Sequence, residues 1–140
     1  MTSMSNAARR LSLRAHLGPD KHADALGTLY FALFKGDPFG AGIEPTSTGA
    51  YARVAVLNDA TMWGTIAAGQ VSVSSAAAVT WPAATGLWSI TDGLTHWAVF
   101  DNSTGGNLWY GGPLTTPITV TGATDQPRIP AGSLSVTQAG

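Results

Sequence analysis

The chain has 140 residues, of which only 11% are charged and 44% hydrophobic, with a formal net charge of −1 and no cysteine. That length fits one domain of about 150 residues, and the composition excludes a disulfide framework, a thiolate nucleophile and a cysteine zinc site; no run approaches the ~18 apolar residues of a membrane-spanning helix. A charge content well below the ~25% usual for soluble proteins leaves a surface of Thr, Ser, Ala and Gly, which points to faces covered by other protein.

The first predicted element is a short helix from Ser5 to Leu17, capped by Ser5 or Asn6, with Ala7, Ala8, Leu11 and Ala15 on one side and a stop at Gly18-Pro19. Its other side carries Arg9, Arg10 and Arg14, interspersed with Leu13 and Leu17, a mixture that suits a contact surface. Five basic residues face two acidic ones through Lys35, whereas beyond it two basic residues face six acidic ones. The amino-terminal segment is thus electrostatically distinct, and segments of this kind contact oppositely charged partners. No apolar stretch follows Arg9-Arg10, so the pair is not read as an export signal. Residues 1–25 are expected to form this helix and a linker, a docking arm, and residues 26–140 a β-rich domain.

From Leu29 to Phe34 the chain is apolar on both alternating faces, as in a strand buried within a fold. Gly36-Asp37-Pro38-Phe39-Gly40 ends it in a turn. Further strands are expected over 51–57, 70–75, 77–81, 87–90, 95–100, 108–110, 118–121 and 133–137, each bounded by Gly, Pro or polar residues. Asp101-Asn102-Ser103-Thr104-Gly105-Gly106-Asn107 joins two of them as a hairpin loop, being rich in residues that accept sharp turns. The fold class that follows is mainly β, an antiparallel sandwich or barrel of short strands with a short amino-terminal helix. Without heptads or repeats, the chain is not itself a long fibre shaft.

Catalytic chemistry needs a matched set of groups, and none is legible. His16, His22 and His96 lie in no HExxH pattern, no serine sits in a GxSxG elbow, and Asp92, Asp101 and Asp125 occupy predicted turns, where carboxylates ordinarily bond nearby amides. No catalytic, cofactor or metal residue is therefore nominated. Arg9, Arg10, Arg14 and Lys21 lack the interleaved aromatics of a nucleic-acid surface. The five tryptophans offer an alternative, a carbohydrate-binding module stacking sugars on exposed rings; against it, Trp81, Trp97 and Trp109 fall on strand positions that fill a core or an oligomer interface.

The order Leu29-Tyr30-Phe31-Ala32-Leu33-Phe34, Gly36-Asp37-Pro38, Gly49-Ala50-Tyr51-Ala52-Arg53-Val54-Ala55-Val56 and Val79-Thr80-Trp81-Pro82-Ala83-Ala84-Thr85 resembles the small tailed-phage virion proteins of the tail-fibre-like or capsid-decoration type. So do Thr95 to Asp101, Gly105 to Gly111, Arg128 to Leu134 and the Ser5-Asn6-Ala7-Ala8 start. The resemblance implies a non-enzymatic structural component of the virion, assembled in the host cytoplasm. It further implies association with itself, as a homotrimer, and with capsid or tail proteins; the weak basic footprint and the lack of a long apolar run point to neither nucleic acid nor membrane as a partner. Arg9, Arg10 and Arg14 are the expected docking residues.

Overall fold

The computed structural model describes residues 17–19, 21, 25–65, 72–90 and 93–137. Residues 5–16 of the helix expected from Ser5 to Leu17, with Arg9, Arg10 and Arg14, lie outside them. In chain order the described residues form β1 (Thr28–Phe34), a 3-10 turn (Thr48–Ala50), β2 (Val54–Leu57), the one-turn helix α1 (Ala60–Trp63), β3 (Ser72–Ser74), β4 (Val79–Thr80), β5 (Leu94–Phe100), β6 (Leu108–Ile118), β7 (Arg128–Ile129) and β8 (Ser135–Thr137). The protein is mainly β, as its sequence predicts, and β1 with β5, β5 with β6, β3 with β8 and β4 with β7 all pair antiparallel. Two compact units result, one from residues 29–56 and 79–129, the other from the described residues within 1–28, 57–78 and 130–140.

The first unit is built on a four-stranded sheet in the order β2-β1-β5-β6. Phe31 lies opposite Val99 and Leu33 opposite Trp97, so these four side chains share one face. Ala32, Phe34, Ala98 and Phe100 form a cluster on the other, with the Phe34 and Phe100 rings stacked 6.0 Å apart. Both faces are buried, which is why β1 reads as continuously apolar.

β6 departs from expectation. The separate strands predicted over 108–110 and 118–121 are one strand ending at Ile118, running through Gly111, Gly112, Pro113 and Pro117. Its edge position explains the prolines, since an outward-facing N–H has no ladder bond to lose. Close approach explains the glycines. A Cβ on Gly112 would lie 3.2 Å from the Trp97 indole nitrogen, and one on Gly111 would lie 2.8 Å from Pro38 Cγ, in the turn after β1.

The strand expected over 87–90 is absent. There Thr85 N–H and the Trp88 indole N–H both donate to the Gly49 carbonyl, at 3.0 and 3.1 Å, while Thr46 N–H donates to Ser89 Oγ at 2.8 Å. Trp88 is buried edge-on against Tyr51, with ring centroids 4.8 Å apart. Burying that indole draws the chain along the 3-10 turn, so its polar groups are satisfied by the turn instead of a ladder. Gly49 makes this possible at φ 64°, because a Cβ there would sit 2.6 Å from the Leu87 carbonyl oxygen.

In the second unit, α1 is capped by Asp59, whose carboxylate accepts Thr61 N–H at 2.9 Å. The β3–β8 ribbon turns Val73 and Val136 inward and is closed by the buried Ser75, whose Oγ accepts Gly132 N–H at 3.1 Å and Leu134 N–H at 3.4 Å. Buried Asn58 accepts Gly18 N–H at 2.9 Å and donates to the Leu26 carbonyl at 2.8 Å, so its side chain is satisfied at both ends.

Candidate functional site

Of the residues nominated from sequence, Trp81 and Trp97 are buried in the first unit and Trp109, on β6, is 40% exposed. Trp63 and Trp88 are buried as well, so Trp109 alone of the five presents much of its ring to solvent. Arg9, Arg10 and Arg14 fall outside the described residues, as do His16 and His22. His96 is half-buried on β5, with Nδ1 2.9 Å from Thr95 Oγ1, which in turn accepts Gly36 N–H at 3.0 Å. Among the described residues no three His, Asp or Glu side chains converge as a metal site.

The most concentrated polar chemistry lies elsewhere, in a cleft of about 350 Å³ between the 44–53 segment and the β5–β6 hairpin loop. Its centre is the ion pair of Glu44 and Arg53, with side chains 21% and 7% exposed. The contact is a fork: Arg53 Nε donates to Glu44 Oε1 at 2.9 Å and Nη2 to Oε2 at 2.8 Å. Nη1 reaches across to the hairpin loop, donating to the carbonyls of Asn102 at 2.9 Å and Gly105 at 2.7 Å. The guanidinium also lies 3.7 Å above the Phe100 ring, where the electron-rich face attracts it.

Tyr51 ties this arrangement to the sheet. Its hydroxyl donates to Glu44 Oε1 at 2.7 Å and accepts the β1 amide of Leu33 at 3.3 Å. Burial, reinforced by the adjacent Glu44 charge and hydrogen bond, pushes the Tyr51 phenol far above its ordinary range. Arg53 therefore joins a buried strand, a carboxylate and an exposed loop in one network.

The loop is fixed from its other end by Asp101. One carboxylate oxygen accepts Asn107 N–H at 2.8 Å, and the other accepts the Asn107 amide at 3.0 Å and the Trp109 indole N–H at 3.4 Å. These bonds, the Asn107 backbone amide foremost, hold the Asp101 carboxyl below its ordinary range. Residues 102–107 are all exposed, so the loop is ordered by its own polar contacts and by Arg53.

Sequence reasoning passed over Glu44 and Arg53. A signal existed: Arg53 is one of only seven basic residues and stands among Tyr51, Ala52, Val54 and Ala55, where a charge calls for a partner. Its contacts with residues 102 and 105 span some fifty positions and have no local signature.

Residues 3–137 match the family model described as Podophage GP4 fiber I protein gp80. No curated protein matches the chain.

Proposed function

Because the chain belongs to the podophage fibre I protein family, a family of phage fibre proteins, we propose that it is a non-enzymatic structural subunit that self-associates and docks on the particle exterior. The observation that carries this reading is a family match spanning nearly the whole chain, residues 3–137. The surface supports self-association: Phe39, Ile43, Leu57, Leu87 and Trp109 are 40–65% exposed in a chain with only 11% charged residues. Apolar side chains with few charges around them favour protein contacts. The proposed assembly is a homotrimer, and residues 1–25 act as the arm that meets capsid or tail proteins through Arg9, Arg10 and Arg14. Capsid decoration or a head fibre is preferred to a tail shaft, because the chain has no repeat from which a shaft is built. Assembly takes place in the host cytoplasm, without nucleic acid or membrane as a partner. Among the described residues no helix is long and apolar enough to cross a membrane.

The burial of four of the five tryptophans weighs against sugar stacking on exposed indoles as the main role. The test replaces Arg9, Arg10 and Arg14 by glutamate and measures both particle occupancy and thermal unfolding. Docking through this segment predicts a fold-neutral loss of occupancy, with added salt weakening the wild type in the same direction. Unchanged occupancy removes the docking role, and sedimentation showing only monomer at micromolar concentration removes self-association.

A further inference from the structure

Self-association needs a surface that copies of the chain can share, and the turn after β1 has the features of one. Phe39 and Ile43 are 62% and 61% exposed, with the exposed Ala41 between them in the chain. Single exposed apolar residues are ordinary on a protein surface, whereas two large ones on one short turn make a patch. The turn is also rigid. Lys35 N–H donates to the Ile43 carbonyl and Ile43 N–H to the Lys35 carbonyl, both at 2.9 Å. Inside this bridge the Asp37 carbonyl accepts Gly40 N–H at 3.0 Å and Gly42 N–H at 2.8 Å, and the Asp37 carboxylate accepts Phe39 N–H at 2.9 Å. The turn rests on β6, where a Cβ on Gly111 would meet Phe39 Cε2 at 3.1 Å. Phe39 and Ile43 are thus held in place before any contact forms, which lowers the entropic cost of docking on them.

The sheet edges offer no equal alternative. Pro113 and Pro117 remove two N–H donors from β6, and its pairing with β5 is broken by register shifts at both ends. The opposite edge, β2, is only four residues long. Strand addition is therefore disfavoured, and side-chain packing on the turn is the route left. Charge agrees with a second copy as the occupant. A patch on the axis of a cyclic assembly meets only copies of itself, so a net charge on it would repel. Here the exposed Lys35 and Asp37 have opposite signs, and Glu44, next to Ile43, is engaged by Arg53. A lysine ammonium has three N–H hydrogens, so Lys35 can take an acceptor from a neighbouring copy in addition to contacts within its own chain.

Resting on the self-association proposed above, we infer that this turn lies on the three-fold axis of the homotrimer. Phe39 and Ile43 of three copies of this chain pack together there, and Lys35 of each copy meets Asp37 of the next.

Sedimentation equilibrium of the full chain compares the wild type with Phe39→Glu and Ile43→Glu. Both side chains are largely exposed in the single chain, so the circular dichroism spectrum should be unchanged. Trimer formation should weaken by roughly tenfold to a hundredfold in each variant, the range expected when a large apolar side chain is no longer buried. In Ala41→Cys, which gives the chain its first cysteine, a short three-armed maleimide should join three chains covalently. Dimers alone from this reagent indicate a two-fold contact and overturn the three-fold site. A trimer whose affinity neither glutamate changes overturns it as well, while leaving self-association standing with its interface elsewhere. A wild type that stays monomeric removes self-association itself, and this site with it.

Discussion

Replacing Arg53 by methionine tests whether the guanidinium is the brace that joins the hairpin loop to the sheet. Methionine keeps part of the aliphatic stem and removes every polar contact. Breaking a buried pair costs about 3–5 kcal/mol because one charge is stranded, whereas exposed pairs are worth about 0–1 kcal/mol. Glu44, at 21% exposure, lies between these limits and can partly rehydrate, so about 2 kcal/mol is assigned to it. The contact with the Phe100 ring adds about 0.5–1 kcal/mol. The loop carbonyls are exposed and recover water, so their two bonds add only about 0.5 kcal/mol together. The expected loss is about 3 kcal/mol, against the ~5–15 kcal/mol that holds a domain folded. The variant should therefore fold and melt about 10 °C lower. Urea unfolding followed by tryptophan fluorescence measures the loss, and hydrogen exchange should show faster exchange of amides 102–106. In a double-mutant cycle with Glu44→Gln the two changes should couple by about 1–2 kcal/mol. A loss under about 0.5 kcal/mol, or simple additivity with Glu44→Gln, refutes the brace.

Gly49→Ala should cost about 2–4 kcal/mol, because it forces a side chain into positive φ and against the Leu87 and Gly86 carbonyls; calorimetry of the variant decides this, and a neutral result refutes the packing of 85–89 on the turn. For Tyr51 the native pKa is raised above the ordinary 10.0, so its contribution is complete below pH 10 and is lost as pH rises further. In an absorbance titration near 295 nm the phenolate signal missing from a Tyr51→Phe variant should emerge only together with unfolding. The Asp101 carboxyl is shifted the other way, so its contribution is complete above its ordinary 3.8 and is lost as pH falls through the lower native value. Carbon-13 titration of that carboxyl should give a midpoint below 3.8, and Asn107→Ala, which keeps the backbone donor, should raise it only in part.

What the sequence determined by itself was local. Apolar residues at every position of 29–34 require a strand buried on both faces, and two short apolar runs separated by an Asp-, Asn- and Gly-rich loop require the hairpin of β5 and β6. These features depend on alternation and turn chemistry, which neighbouring residues carry. The tertiary structure decided where local preference was balanced. Leu87-Trp88-Ser89-Ile90 is a short, mostly apolar run between turn residues and reads as a strand, yet Trp88 instead buries its ring against Tyr51 and its indole N–H against Gly49. Residues 108–118 contain two prolines and two glycines that argue against a strand, yet an edge position makes the prolines harmless and Trp97 and Pro38 occupy the space the glycines leave. The same holds for the cleft. Glu44, Tyr51, Arg53, Asn102 and Gly105 have no shared motif, and a charge paired across some fifty residues is fixed only when the sheet brings both segments to one place, because side-chain hydrogen bonds act over about 3 Å in space and carry no periodicity along the chain.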